Sequence, residues 1–164
     1  MKEVKEDHLI DILSKIPDPE IPVISIVDLG IVRSIEVISA SKVKVVITPT
    51  YSGCPAMKVI EDEIRLNLLQ KGFTEVTVET VLSPAWTTDW ISEEAKIKLK
   101  EYGIAPPEKT TSDKSFLFQH KKVVSCPNCG SDETEMISQF GSTACKALYR
   151  CLVCKEPFDY FKCI

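Results

Sequence analysis

Cys126-Pro-Asn-Cys129 and Cys151-Leu-Val-Cys154 are two pairs of thiols at the same spacing, with 21 residues between the pairs. Two cysteines so spaced can turn both sulfurs toward one point in a tight knuckle. Gly130 relieves crowding after the first pair, whereas the second has Lys155 where glycine is common. Two facing knuckles make a closed tetrahedral set of thiolates, the coordination that Zn²⁺ accepts in structural sites. The gap is one residue beyond the usual range for such pairs. Rubredoxin-like iron or a cluster is the rival occupant, and disulfides or buried free thiols are the plainer alternative. A closed site of this kind does no chemistry; it lets a short segment fold. Phe158, Tyr160 and Phe161 then offer packing or a docking face. Cys145 and Cys163 lack partners at ligand spacing and read as small buried residues, although Cys145 could substitute as a ligand. His120 reads as a surface residue.

Cys54 is a different kind of thiol. It stands between Gly53 and Pro55, immediately before an expected helix. A helix N-terminus presents unpaired N–H groups and a partial positive charge, both of which favour thiolate over thiol. Such a sulfur can bind a soft metal, attack an electrophile or take part in redox chemistry. A buried cysteine at a helix cap fits the same residues, and spacing alone does not choose between the two. Asp18, Glu20 and Asp28 lie near rigid loops. They read as cap or turn residues, with a metal-adjacent role as the alternative.

These residues need scaffolding, and the chain has material for it. Its 164 residues are 44% hydrophobic and 27% charged, the profile of a globular protein. A formal net charge of −4 argues against broad nucleic-acid or anionic-membrane binding. Met1 to His8 is densely charged where a signal peptide needs an apolar core. No apolar run approaches the roughly 20 residues that cross a bilayer. The expectation is a cytoplasmic protein with reduced thiols, in which seven cysteines are metal ligands, reactive groups or packing residues.

The pattern divides the chain into an α/β domain over 1–103, a linker over 104–115 and a cysteine module over 116–164. Leu9, Ile10, Leu13 and Ile16 recur at helical spacing up to Pro17. Asp18 to Pro22 is held extended by its prolines, and Gly30 supplies a turn. Residues 31–38 and the alternating Val43, Val45 and Ile47 form a hairpin. A helix starts near Pro55 with Met57, Ile60, Ile64 and Leu68 on one face, and Gly72 ends it. A strand over 74–81 follows. Ser92 then caps a helix whose face is Ala95, Leu99 and Tyr102. Pro106-Pro107 and the polar run after them lack periodicity. The cysteine module is too short for a large core and needs a staple.

Asp18-Pro-Glu-Ile-Pro-Val-Ile-Ser-Ile-Val-Asp-Leu-Gly30 and Thr48-Pro-Thr-Tyr-Ser-Gly-Cys-Pro55 resemble the MIP18 (DUF59) family over roughly residues 8–102. Cys126-Pro-Asn-Cys-Gly-Ser131, the run from Phe140 to Cys151 and that from Glu156 to Cys163 resemble the PaaD (PaaJ) family of phenylacetate degradation. The resemblance implies α+β architecture: a two-layer α/β sandwich in the order helix-strand-strand-helix-strand-helix, then a small zinc-ribbon-like domain. It implies iron–sulfur cluster assembly or metal-site maturation, and an accessory role beside the components of a phenylacetyl-CoA oxygenase (epoxidase). The family's reactive cysteine maps onto Cys54, a candidate transient ligand of iron or a cluster, and its acidic loop onto Asp18, Glu20 and Asp28. Zinc at Cys126, Cys129, Cys151 and Cys154 is the resident metal so implied.

An oxygenase site of its own is not expected. Carboxylate-bridged di-iron centres use glutamates with a Glu-x-x-His pattern, and neither His8 nor His120 follows a glutamate at that spacing. A thiol enzyme acting through Cys54 is the rival class, although no histidine lies near it in sequence. A nucleic-acid-binding ribbon using Lys121, Lys122, Lys146 and Arg150 is a third, disfavoured by the acidic chain. The expected partners are oxygenase proteins, with neither nucleic acid nor membrane. The cargo, the client component and a homodimer are all left open.

Overall fold

The computed structural model describes residues 6–108 and 123–162. The chain divides into two compact units, one up to Ala95 and one from Lys96.

The first unit is built on a three-stranded sheet. Helix α1 (Glu6–Leu13) leads into a long loop, then β1 (Val32–Ser39) and β2 (Lys42–Ile47). Helix α2 (Ala56–Gln70) and β3 (Glu75–Thr80) follow, then a 3-10 turn (Thr88–Trp90) and the start of α3 (Glu93–Tyr102). Strand β2 is central, antiparallel to β1 and parallel to β3, so α2 is the crossover between parallel neighbours. Register sets the faces. Val43 and Val45 of β2 align with Val37 and Ile35 of β1 and with Val76 and Val78 of β3. The alternate positions carry Lys42 and Lys44, which pair with Glu75 and Glu79 on the outer surface. One face is thus apolar and one charged, as strand alternation requires. Helix α2 buries Ala56, Ile60, Ile64 and Leu68. Each large aliphatic side chain so buried contributes about 1.5–3 kcal/mol.

Two expected helix faces are narrower than periodicity suggests. Leu9, Ile12, Leu13 and Ile16 are buried, but Ile10 faces solvent; in α3, Ala95 and Leu99 are buried while Tyr102 is exposed. In both cases a large residue follows the helical period beyond the width of the face that is covered. Met57 is only half-buried.

The loop between α1 and β1 is well anchored. Asp18 N–H donates to the Ile24 carbonyl (2.9 Å) and Ile26 N–H to that of Ile16 (3.1 Å). Ile21, Ile24, Ile26, Leu29 and Ile31 are all buried. The Trp86 indole N–H donates to the Leu29 carbonyl at 2.8 Å. Gly30 adopts φ +71°, and a Cβ there would meet the Trp90 Cβ and carbonyl oxygen at 2.7 Å. Glycine is therefore required twice over, by backbone conformation and by space.

The second unit carries a four-stranded sheet in the order β4-β7-β6-β5. Its strands are β4 (Ile104–Ala105), β5 (Thr134–Ser138), β6 (Lys146–Cys151) and β7 (Pro157–Phe161). Strand β4 runs parallel to β7 and the other pairs are antiparallel. Ala105, Val124, Cys126, Ala147, Tyr149, Cys151, Phe158 and Tyr160 form its apolar cluster. Ile104 and Ala105, expected to open a linker, are instead a strand: their backbone pairs with β7, and both side chains are buried. The remainder of that expected linker from residue 109, together with His120, Lys121, Lys122 and Cys163, lies outside the described residues. Phe158, Tyr160 and Phe161 are buried, so of the two roles expected of them they take packing rather than docking. No helix among the described residues is long and apolar enough to cross a membrane.

Gly30 and Gly53 allow the packing account to be tested. Both have positive φ, but nothing lies within 4 Å of a Cβ at Gly53. Gly53→Ala should cost about 1–2 kcal/mol of backbone strain. Gly30→Ala should add an overpacking cost of about 1–3 kcal/mol. Denaturant titration of both variants reads the difference, and equal losses would refute the contact with Trp90 as a constraint.

Candidate metal centre and cysteine loop

The two knuckles are built alike. Cys126 N–H donates to the Ser131 carbonyl (2.9 Å), and Cys151 N–H to that of Glu156 (3.0 Å). Each knuckle closes on a left-handed residue, Gly130 at φ +76° and Lys155 at φ +67°. Lysine thus adopts the conformation that glycine takes in the first knuckle, at a steric cost of about 1–2 kcal/mol. The bonds around the second knuckle outweigh it.

Between the knuckles the four sulfurs of Cys126, Cys129, Cys151 and Cys154 converge to within 4.8 Å of one another. Cys126 and Cys154 sulfurs are 3.7 Å apart and those of Cys129 and Cys151 are 3.5 Å apart. A tetrahedron with metal–sulfur bonds of about 2.3 Å has sulfurs about 3.8 Å apart, so the set fits a closed four-thiolate centre. The protonation pattern also asks for a cation. Burial opposes ionisation of Cys151, but the N–H groups of Cys154 and Val153 and the neighbouring thiols outweigh it and draw its pKa down to about 6. A backbone hydrogen bond favours the Cys154 thiolate, yet burial and the sulfurs of Cys151, Cys126 and Cys129 push it up to about 12. Once one sulfur is charged, its neighbours resist following until a cation arrives.

Cys145 stands apart from this set. It is buried, and its sulfur lies 3.1 Å from the Thr143 hydroxyl. Lys146 is also buried, with its ammonium 3.7 Å from Asp159. Arg150 is paired with Glu135.

In the first unit, Cys54 lies on the connection from β2 to α2, beyond the carboxyl ends of two parallel strands. That is where open α/β sheets place their ligands. The residue is half-buried. Cys54 N–H donates to the Tyr51 carbonyl, and its own carbonyl accepts from Met57 N–H, both at 3.3 Å. Pro55 caps α2 without a side-chain hydrogen bond, leaving the helix start to backbone groups.

The three acidic residues divide by role. Asp18 is buried and accepts from the N–H groups of Glu20 (2.9 Å) and Ile21 (2.8 Å), holding the loop's turn. Asp28 accepts from Ser25 N–H (3.2 Å) and from the Ser92 hydroxyl (3.4 Å). Ser92 in turn caps α3 by accepting from Ala95 N–H at 3.1 Å. Glu20 is joined to the cysteine loop, accepting from the Tyr51 hydroxyl at 3.4 Å. The acidic loop and the cysteine loop are therefore adjacent, although 31 residues separate the bonded pair. Tyr51 is a residue that sequence reasoning passed over. Its place three residues before Cys54 was the available signal.

Comparison with known proteins agrees with this division. Residues 6–80 match the family model of an iron–sulfur cluster assembly protein, and residues 110–162 match that of the PaaD zinc beta ribbon domain. The chain is 52% identical, over 93% of its length and 90% of the relative's, to a protein of Escherichia coli (strain K12) named as a component of a 1,2-phenylacetyl-CoA epoxidase. A Fe-S protein maturation auxiliary factor of Porphyromonas gingivalis is 34% identical, covering 57% of this chain and 90% of the relative. The crystal structure of a DUF59 domain from Bacillus anthracis superposes with a TM-score of 0.54 at 29% identity, covering 57% of this chain and 90% of that one. With a relative this similar along nearly its whole length, and with both parts matched separately, the chain belongs to the PaaD family: an iron–sulfur assembly (MIP18/DUF59) domain followed by a zinc-ribbon domain.

Proposed function

We propose that this chain is a cytoplasmic accessory factor of a phenylacetyl-CoA oxygenase (epoxidase), supplying iron or an iron–sulfur cluster to an oxygenase component through Cys54. The observation that carries this reading is the pairing of a half-buried cysteine with a carboxylate loop. Cys54 offers a soft donor, and Glu20, hydrogen-bonded to Tyr51 of the same loop, offers a hard one. Sulfur and carboxylate together suit iron, and so few protein donors favour release as well as capture. Asp18 and Asp28 support the site by shaping the backbone. The names of the relatives, one an epoxidase component and others iron–sulfur maturation factors, support both the pathway and the chemistry.

In the ribbon, the donor set favours zinc, held by Cys126, Cys129, Cys151 and Cys154. Bound there, zinc supplies structure and no open coordination position. Met136, Ile137, Phe140, Leu152 and Val153 are exposed on this unit and suit a protein partner. A nucleic-acid role is less favoured: Lys146 is buried against Asp159 and Arg150 is engaged by Glu135.

The zinc assignment predicts about one zinc per chain in protein purified without chelator, measured by elemental analysis. Cys126→Ser or Cys151→Ser should unfold the ribbon and leave the α/β unit folded. Absence of zinc, or a red iron-loaded protein, would overturn it. Because Cys154 is protonated at neutral pH before metal binds, zinc uptake should release protons, and affinity should fall as pH is lowered.

Catalysis is assigned elsewhere. The isolated chain with reductant and oxygen should form no epoxide from phenylacetyl-CoA, and product from this chain alone would sink the accessory reading.

Cys54 decides the mechanism. Cys54→Ser should melt like the parent, since a half-buried serine fits the same loop. Co-expressed with the oxygenase, it should leave the components present but low in iron or cluster, with activity reduced at least about tenfold. Metal content and activity equal to the parent's would remove the transfer role and leave docking as the function.

A further inference from the structure

The four sulfurs of the ribbon are not equally placed. Cys126 and Cys151 are buried and Cys154 is half-buried, whereas Cys129 is exposed. The knuckles also differ at one equivalent position. Gly130 and Lys155 each follow the second cysteine of a pair, and both are left-handed, at φ +76° and +67°. Nothing lies within 4 Å of a Cβ at Gly130, so the space beside Cys129 is open. Asn128 and Gly130 are exposed with Cys129, and the tip of the first knuckle thus faces solvent. Lys155 instead folds back on its own knuckle, its ammonium donating to the Leu152 carbonyl.

Oxidation of a cysteine follows its thiolate character and its exposure. Metal binding keeps all four sulfurs deprotonated, so exposure is what distinguishes them. A resolving thiol is also at hand. The Cys151 sulfur lies 3.5 Å from that of Cys129, across the gap between the knuckles. A shift of about 1.5 Å brings the pair to the disulfide bond length of about 2.05 Å.

We propose that Cys129 is an oxidation site of the ribbon, where a hydroperoxide attacks first and Cys151 closes a disulfide that releases the zinc. This rests on the four-thiolate zinc reading given above. In the first step the Cys129 thiolate attacks one peroxide oxygen and the O–O bond breaks. Cys129 becomes a sulfenic acid, and the alkoxide or hydroxide that leaves takes a proton from solvent. In the second, the Cys151 thiolate attacks the Cys129 sulfur, the S–S bond forms and the S–O bond breaks. The departing hydroxide is protonated to water. Two thiolates have then lost two electrons, the hydroperoxide has gained them, and half of the ligand set is gone. The disulfide joins the two knuckles, so reduction can return the same four donors to their places.

The test uses the full-length, zinc-loaded chain with hydrogen peroxide as the probe. A chromogenic chelator reads released zinc, and peptide mapping by mass spectrometry reads the disulfide. Peroxide should release about one zinc per chain as a Cys129–Cys151 disulfide forms, and dithiothreitol with added zinc should restore the metal. Gly130→Lys, which copies the second knuckle, should slow release several-fold. Lys155→Gly removes the lysine from a strained position, so it should hold zinc like the parent and bring Cys154 into the oxidised products. Zinc retained in excess peroxide, or a disulfide that omits Cys129, would overturn the proposal. Parent-like products in Lys155→Gly would overturn it equally, and that variant decides alone if Gly130→Lys does not hold zinc. A zinc-loaded Gly130→Lys protein that releases metal as fast as the parent would also overturn it. A parent protein that carries no zinc would instead refute the four-thiolate zinc reading, and this inference with it.

Discussion

Four sulfurs held within 4.8 Å are the constraint on which the second unit is built. Cys126 and Cys151 are members of its apolar cluster as well as of the sulfur set, so metal site and core are one object. The apolar cluster of eight side chains among the described residues is a small core for a unit that must also order two knuckles and four strands. Without a cation the sulfurs oppose one another, as the divergence of Cys151 and Cys154 records. With one, the same proximity becomes binding energy, and that energy is folding energy. The left-handed Lys155 is intelligible in these terms. A strained residue persists where its surroundings over-determine it.

The α/β unit solves a different problem. Here one half-buried sulfur sits on a loop whose surroundings are held firm. A long loop, residues 14–31, is fastened by its own buried isoleucines, by Asp18 and by the reciprocal bonds between Ser25 and Asp28. Trp86 and Trp90 close over residues 29–30 from a part of the chain nearly sixty residues away. The cysteine loop then rests on this support through Thr48 and Tyr51. Rigidity is supplied by neighbours, so Cys54 itself needs no buried anchorage.

Much of this was legible in the order of residues, for identifiable reasons. The convergence of four sulfurs was readable because two-residue spacing has few structural meanings. The hairpin and α2 were readable because Val43, Val45 and Ile47 alternate and Ile60, Ile64 and Leu68 recur at helical spacing. Gly30 could be marked as a turn, although its collision with Trp90 could not, since that contact joins distant parts of the chain. The acidic residues looked equivalent in sequence. Only three-dimensional contacts separate Asp18 and Asp28, which hold backbone, from Glu20, which faces Tyr51. Strand β4 escaped notice because two residues carry no periodicity, and their pairing with β7 is a tertiary fact.

The contrast between the two kinds of sulfur in one chain bears on how a delivery protein must work. A tetrahedral thiolate set with every position filled holds its ion too well to hand it on and leaves no open position for a recipient's ligand. A single half-buried cysteine with a carboxylate nearby binds less tightly, leaves coordination positions for the client's own ligands, and can be left by the metal one bond at a time. The proposed function places the first kind in the ribbon and the second on the loop after β2, so that permanence and exchange are assigned to different units. On the proposed reading, thiol chemistry serves a structural centre in one unit and an exchange point in the other, with the number of converging sulfurs as the variable that differs.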